Sequence, residues 1–275
     1  MIACAERTAT DAVREYFDQD ATGYRQAYDR AGDARGEIFR QRRAQVLELL
    51  QPPAGRVLDI GSGPGVFTLA LLALGADCWV VDLAPRMIAE ARALLATHPQ
   101  ADRVHYDVAD VERLPFADGS FDTTLCVGVV QYLDAIERAV GELARVTRPG
   151  GQVIVSFPNR RSPLNAMHRG VISTLRAGRS GLRRVGIAVQ PRRERLTFRE
   201  DIPNGSFTQT EVIAAARAAG LEPAALRYHS LHFPFAIPGL RAPLRSWDRL
   251  ANRWMASGHG HHWGREIILR LVRVA

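Results

Sequence analysis

The stretch Val57-Leu58-Asp59-Ile60-Gly61-Ser62-Gly63-Pro64-Gly65 constrains the fold of this 275-residue chain more than any other part of it. A short apolar run from Arg56 to Ile60 ends in a glycine-rich turn. A helical pattern follows, with Val66, Phe67, Leu69, Ala70 and Leu71 among its apolar positions. Strand, tight loop and helix in that order bring a nucleotide-like ligand against bare backbone. Gly61 and Gly63 lack a Cβ, so the main chain there can bend sharply and approach a ligand closely. Two details set the loop apart from a dinucleotide fingerprint. It reads G-x-G-x-G, with Val66 where the last glycine of that fingerprint would stand. Asp59 also places a carboxylate beside the loop, which repels a pyrophosphate and suits a cationic ligand.

Two more acids extend the pattern. Asp82 closes the run Cys78-Trp79-Val80-Val81, 23 residues after Asp59. An acid at the tip of a second strand can accept both ribose hydroxyls, and taken alone it would serve NAD equally well. Asp110 ends a third strand, Val104 to Val108, where its carboxylate could accept an adenine amine while the N–H of Val111 meets a ring nitrogen. Asp118-Gly119 then reads as a turn into the next apolar run.

Strand and helix patterns alternate through the middle of the chain: strand 56–60, helix 65–74, strand 78–82, helix 85–96, strands 103–108 and 122–128, helix 134–147 and strand 152–157. This predicts an α/β fold with a parallel, doubly wound sheet. Residues 1–50 read as helices, stopped by Pro52-Pro53-Ala54-Gly55. Residues 160–203 break the rhythm and read as an insertion. A helix is expected from Thr208 to Ala219, opened by a hydroxyl cap at Thr208 or Thr210 and closed by Gly220. Strands 223–228 and 265–274 would complete the sheet as a hairpin with a long connection. The expected organisation is a helical lid (1–52), a ligand-binding core (53–159), an inserted cap (160–203) and the end of the sheet (204–275).

With these blocks in order, the chain resembles the class I S-adenosylmethionine-dependent methyltransferases over about residues 57–157. Asp59 through Gly65 looks like their first motif, Asp82 like the second-motif acid, and Asp110 through Asp122 like the adenine loop. Arg145-Val146-Thr147-Arg148-Pro149-Gly150-Gly151 looks like the turn before strand five. The resemblance implies a Rossmann-like, mostly parallel seven-stranded sheet and S-adenosyl-L-methionine as cofactor. It implies a cofactor site of Asp59, Gly61, Ser62, Gly63, Gly65, Asp82, Leu83, Met87, Asp110, Val111 and Val127. Tyr16-Phe17-Asp18 followed by Tyr24 resembles the N-terminal lid segment of small-molecule methyltransferases, and an aromatic face there would favour a sulfonium cation. Helix packing accounts equally well for Tyr16 and Tyr24, and core packing for Met87.

The transfer asks for alignment, exclusion of water and a base only where the nucleophile must lose a proton. Tyr132, after strand four, stands where relatives commonly have a histidine. His168 and His232, with His229, lie in the later, substrate-side segments, and these are the candidate catalytic groups. Strand four is not followed by an Asn-Pro-Pro-Tyr type sequence, which disfavours methylation of adenine or glutamine amino groups. No suitably placed cysteine points to a covalent pyrimidine intermediate.

Composition narrows the rest. Three widely spaced cysteines argue against a disulfide framework or zinc site and suit a reducing cytoplasm. His259, His261 and His262 lie among glycines and read as a loop, so no metal is expected. Met1 to Asp11 lacks a basic segment followed by an apolar one, which argues against a signal peptide, and no apolar run is long enough to span a membrane. All 36 basic residues are arginine. Residues 1–150 hold 16 of them against 22 acids, whereas residues 151–275 hold 20 against 7, so the charge lies in the second part. Eleven fall between Arg160 and Arg199, around a helical face of Leu164, Met167, Val171, Ile172 and Leu175. A basic amphipathic segment of this kind suits a solvated lid, an anionic acceptor held by guanidinium forks, or peripheral contact with anionic lipid. Nucleic acid is disfavoured, because no recognisable RNA-binding module accompanies the charge.

The expected function is methyl transfer to a small-molecule acceptor, anionic or lipophilic. Oxygen is the expected target, in the biosynthesis of a quinone, tetrapyrrole, polyketide or other specialised metabolite. An RNA methyltransferase and a non-catalytic cofactor-binding module are the alternatives. The sequence sets no oligomeric state.

Overall fold

The computed structural model describes residues 8–29, 34–51, 55–167, 169–170, 202–230, 250 and 263–274. Two helices come first, α1 (Ala9–Asp29) and α2 (Ala34–Leu49). The alternating core follows as β1 (Arg56–Ile60), α3 (Val66–Ala73), β2 (Asp77–Asp82), α4 (Pro85–Leu95), β3 (Val104–Val108), β4 (Phe121–Val127), α5 (Ile136–Val146) and β5 (Thr147–Pro158). Further along the chain come α6 (Gln209–Ala218), β6 (Leu221–His229) and β7 (Glu266–Arg273). The strands form one seven-stranded sheet in the order β3-β2-β1-β4-β5-β7-β6. All neighbours are parallel except β7, which runs antiparallel to both β5 and β6. Among the described residues no helix is long and apolar enough to cross a membrane.

The two-residue period of the strands decides which layer each residue joins. Val57, Cys78, Val80, Leu125, Val127 and Ile154 pack with Val46 and Leu49 of α2, Leu71 and Leu72 of α3 and Ala91 and Leu95 of α4. Leu58, Ile60, Val81, Cys126, Val153 and Val155 face the other way, onto Val140 and Leu143 of α5 and Val212 and Ala216 of α6. The sheet is therefore covered on both sides, as near-continuous apolar strands require. Strand order reverses between β1 and β4, where the crossovers diverge to opposite faces and open a crevice at the carboxyl ends of the strands.

The crossover from β3 to β4 carries no helix. Val111 and Leu114 instead insert into the core, and Arg145 of α5 holds the segment from outside. Its guanidinium donates to the carbonyls of Leu114 (3.0 Å) and Phe116 (2.6 Å), to Asp118 (2.8 Å) and to Glu142 of its own helix. Glu142 in turn accepts the Leu114 N–H at 2.7 Å.

The expected elements differ from the observed ones mainly at their ends. β5 begins at Thr147 rather than near 152, because Thr147 pairs with Phe121 across an irregularity in the β4 register, so the Arg-Pro-Gly-Gly turn lies within the strand. Thr208, and not Thr210, caps α6: its hydroxyl accepts the Glu211 N–H while the Glu211 side chain accepts the Thr208 N–H, a reciprocal pair. Thr208→Ala should therefore lower stability by about 1 kcal/mol, measured by urea unfolding. A change close to zero would show that the glutamate alone supports this helix end.

Candidate active site

The crevice at the switch point holds a cavity of about 750 Å³, counting its open mouth. The first strand-to-helix turn forms its floor through Ile60, Gly61 and Gly63. Gly61 has φ of +63°, and a Cβ there would lie 2.1 Å from Cγ2 of Val129, so only glycine lets the loop after β4 close against it. Gly65 has another task. A Cβ at that position would meet Leu95 at 3.1 Å and Ala91 at 3.2 Å, so this glycine seats α3 against α4 and does not line the cavity.

Asp82 is the electrostatic centre of the cavity wall. The Gly63 N–H donates to its Oδ2 and the Ala84 N–H to its Oδ1, both at 2.9 Å, which ties the end of β2 to the glycine loop and to the start of α4. Burial pushes this carboxyl up to about 6, against the pull of those N–H groups. Leu83, Met87, Ala109, Asp110 and Val111 continue the wall. Asp110 accepts the Glu112 N–H at 3.0 Å on one oxygen. A buried carboxylate beside a glycine-walled floor, followed by an apolar slot ending in a second acid, fits a ribose and an adenine. The residues present therefore suit S-adenosyl-L-methionine.

Asp59 is placed differently. It is 2% exposed, accepts the Thr68 hydroxyl of α3 at 2.8 Å and does not line the cavity. Burial pushes it up to about 7, with Asp82 adding to the rise and Thr68 opposing it. Ser62 also lies outside the cavity wall; its N–H bonds the Val81 carbonyl at 3.1 Å and holds the loop to β2.

Helix α1 closes the opposite side with Thr10, Val13, Phe17 and Tyr24. The one-residue choice between Tyr16 and Phe17 follows from helical phase. Val13, Phe17, Ala21 and Tyr24 fall three or four residues apart on one face, whereas Tyr16 sits behind Phe17, edge-on at 5.1 Å between ring centres. Phe17 in turn meets the ring of Tyr132 at 5.1 Å. The helix is latched to α4: Asp18 accepts the Arg86 N–H at 2.8 Å, and Thr22 and Arg25 both bond Glu90. The remaining wall is the segment after β4, with Val127, Gly128, Val129, Tyr132 and Leu133. Burial raises the Tyr132 hydroxyl above the ordinary tyrosine value, and Tyr24 adds to the effect. At neutral pH this phenol can donate a hydrogen bond but cannot take a proton.

Of the other expected residues, His168 and His232 lie outside the described residues, as does the histidine-glycine tract 258–262. His229 ends β6, fully buried and away from the cavity wall. Among the described residues no cluster could hold a metal ion. Arg160 of the expected cap is paired with Glu211 of α6, and Arg169 bonds the Arg160 carbonyl at 3.3 Å. Most of that cap lies outside the described residues. Thr10, Val13, Gly128, Val129 and Leu133 are cavity residues that the sequence reading did not single out, although the spacing of Val13 and Phe17 in α1 carried the signal.

The seven-stranded fold is that of the Rossmann-like methyltransferases, and the residues of the cavity suit S-adenosyl-L-methionine. Residues 58–155 match the model of the family described as Methyltransferase domain. Among curated relatives, malonyl-acyl-carrier-protein O-methyltransferase of Erwinia pyrifoliae is 37% identical over 56% of this chain and 54% of its own. Demethylmenaquinone methyltransferase of Thermus thermophilus is 39% identical over 45% and 56%. The chain thus spans roughly half the length, or less, of the curated relatives it matches. Magnesium protoporphyrin IX methyltransferase of Synechocystis PCC 6803 with bound SAH superposes with a TM-score of 0.65, at 15% identity, over 95% of this chain and 98% of that one. The cyclase SpnF does so with 0.64, at 17% identity, over 98% and 97%. A cyclase on the same scaffold means that the reaction must be argued from the site and not from the fold.

Three outcomes are expected. Asp82→Ala should weaken S-adenosylmethionine binding roughly ten- to a hundredfold, since bonds to a charged acceptor are worth about 1.5–3 kcal/mol; unchanged calorimetric affinity in a folded variant would remove Asp82 from the site. Gly61→Ala should abolish binding or fold poorly, through both its φ and the contact with Val129, and normal affinity would mean that the floor is not where the ligand lies. The third concerns pH. Asp59 and Asp82 titrate near 7 and 6 in the folded chain but near 3.8 when unfolded, so the native state holds the extra protons between those values. Their stabilising contribution is complete below the unfolded value and is lost as pH rises towards 7. The ligand-free protein should therefore resist urea better at pH 5 than at pH 8, and Asp59→Asn should flatten that slope. An unchanged slope would place the proton elsewhere.

Proposed function

We propose that this chain transfers a methyl group from S-adenosylmethionine to an acceptor oxygen that is already ionised at neutral pH, a carboxylate on a largely apolar small molecule. The observation that carries this reading is the makeup of the cavity wall, which among the described residues is largely apolar and holds no histidine, glutamate or cysteine. Its ionisable side chains, among the described residues, are Asp82, Asp110, Tyr24 and Tyr132. Asp82 and Asp110 already accept backbone N–H bonds on the cofactor side, and Tyr132 stays protonated. A carboxylate needs no proton removed. For such a nucleophile, alignment and exclusion of water provide much of the rate. Val13, Phe17, Val129 and Leu133 supply the dry walls, and the sulfonium supplies the activated methyl. The relatives named for O-methylation of malonyl-acyl-carrier protein support an oxygen acceptor, and by the same token the methylated acid could be carried on a larger scaffold.

The test is turnover of isotopically labelled S-adenosylmethionine against a panel of carboxylic acids, phenols and amines. Label should appear as a methyl ester that mild alkali releases as methanol. The rate should stay flat from about pH 7 to 9, because a carboxylate acceptor is already fully ionised across that range. Label held on nitrogen or carbon, or a rate that climbs through that range, would refute the carboxylate reading.

A further inference from the structure

A chain of polar contacts runs from the N-terminal helices to the cavity wall. Arg42 of α2 donates through Nε to Oε2 of Glu266, the first residue of β7, at 2.9 Å. The other oxygen, Oε1, accepts the Ser156 hydroxyl of β5 at 2.9 Å. That hydroxyl accepts the Gly128 N–H, also at 2.9 Å. Gly128 has φ of +75°, and a Cβ there would lie 3.0 Å from Nη1 of Arg42, so the guanidinium rests against the same main chain from its other side. The Gly128 carbonyl accepts the Gln131 amide at 2.8 Å, and the Gln131 carbonyl accepts the Gly205 N–H at 2.7 Å. Both ends of the segment that carries Val129, Tyr132 and Leu133 into the cavity are thereby fixed.

The ion pair is well shielded, with side chains 16% and 10% exposed. Arg42 also lies over the Phe39 ring, which stacks on Tyr28 and meets Tyr24 of the cavity wall. Buried pairs of this kind are weak sources of net stability, because desolvation offsets attraction, yet removing one partner is costly. Fixing a geometry is the better attested use. The contacts here converge on one loop, and that loop forms the wall facing the acceptor.

We infer that Arg42 is a positioning residue for acceptor binding: through Glu266 and Ser156 it sets the Gly128–Leu133 wall, and it leaves the cofactor wall alone. The inference rests on the methyl-transfer reading for its kinetic consequence, while its structural consequence stands independently.

The experiment compares Arg42→Met, Arg42→Lys, Ser156→Ala and the Arg42→Met/Ser156→Ala double variant in the full chain. With an acceptor that the wild type turns over, Arg42→Met should lower kcat/KM for the acceptor about ten- to a hundredfold, the usual cost of a misplaced wall, with affinity for S-adenosylmethionine within about twofold. Arg42→Lys should recover part of the loss, because an ammonium still reaches one carboxylate oxygen. The double variant should be no worse than the poorer single variant, since both act through Gly128. Ser156→Ala leaves the ion pair intact and serves if Arg42→Met does not fold. In ¹⁵N-labelled protein the Gly128 amide resonance should move in Arg42→Met and Ser156→Ala, and it should not move in Arg148→Met, which alters a distant pair with Asp122. An unmoved Gly128 amide, additive kinetic losses, or cofactor affinity falling in step with turnover would overturn the positioning role. Failure of the wild type to methylate any carboxylate would instead count against the proposed reaction, and the amide test would be unaffected by it.

Discussion

The carboxylate of Asp82 is the constraint on which the site depends. By accepting N–H groups from Gly63 and Ala84 it joins the end of β2 to the turn after β1 and to the first turn of α4. Three segments that a parallel sheet would only set side by side are thereby held at one point. The arrangement costs a buried charge that the fold barely tolerates, as the raised titration of Asp82 and of neighbouring Asp59 indicates. A ligand offering two hydroxyls would share that charge and relieve the cost.

Around this point the glycines divide the labour. Gly61 gives way to Val129 and fixes how closely the β4 loop approaches. Gly65 gives way to Leu95 and Ala91 and fixes how closely the two helices approach. Gly63 faces Tyr24 across 3.7 Å, measured from where a Cβ would be, which leaves the floor open on the lid side. A sequence motif that reads as one feature thus encodes three separate contacts, and only part of it lines the cavity.

This division explains what could be read from the sequence. The glycine loop, Asp82 and Asp110 were legible because each sits at the end of a short apolar run, and local pattern fixes the end of a strand. A hydroxyl cap for α6 was legible too, but the choice of Thr208 over Thr210 rests on its reciprocal bonds with Glu211. The choice of Phe17 over Tyr16 needed the phase of α1 against α4, which is set by Asp18 and by Glu90 in another element. The roles of Asp59 and Ser62 turned on which way a residue in or just after β1 faces, and the partners Thr68 and Val81 decided it. Arg42 and Glu266 are 224 residues apart, and neither belongs to a recognisable motif, so no local signal joined them.

The antiparallel seventh strand has a consequence for how the protein is made. Because β7 runs against its neighbours, its first residue, and not its last, arrives at the ligand edge of the sheet. A chain emerging from the ribosome builds the glycine loop, Asp82 and Asp110 well before residue 266. The Arg42 guanidinium, however, stays without its carboxylate until Glu266 has been synthesised. Between those moments the segment after β4 lacks the contacts that Glu266 brings to it through Ser156. Vectorial synthesis therefore adds last the strand whose Glu266 links Arg42, through Ser156, to the main chain of Gly128.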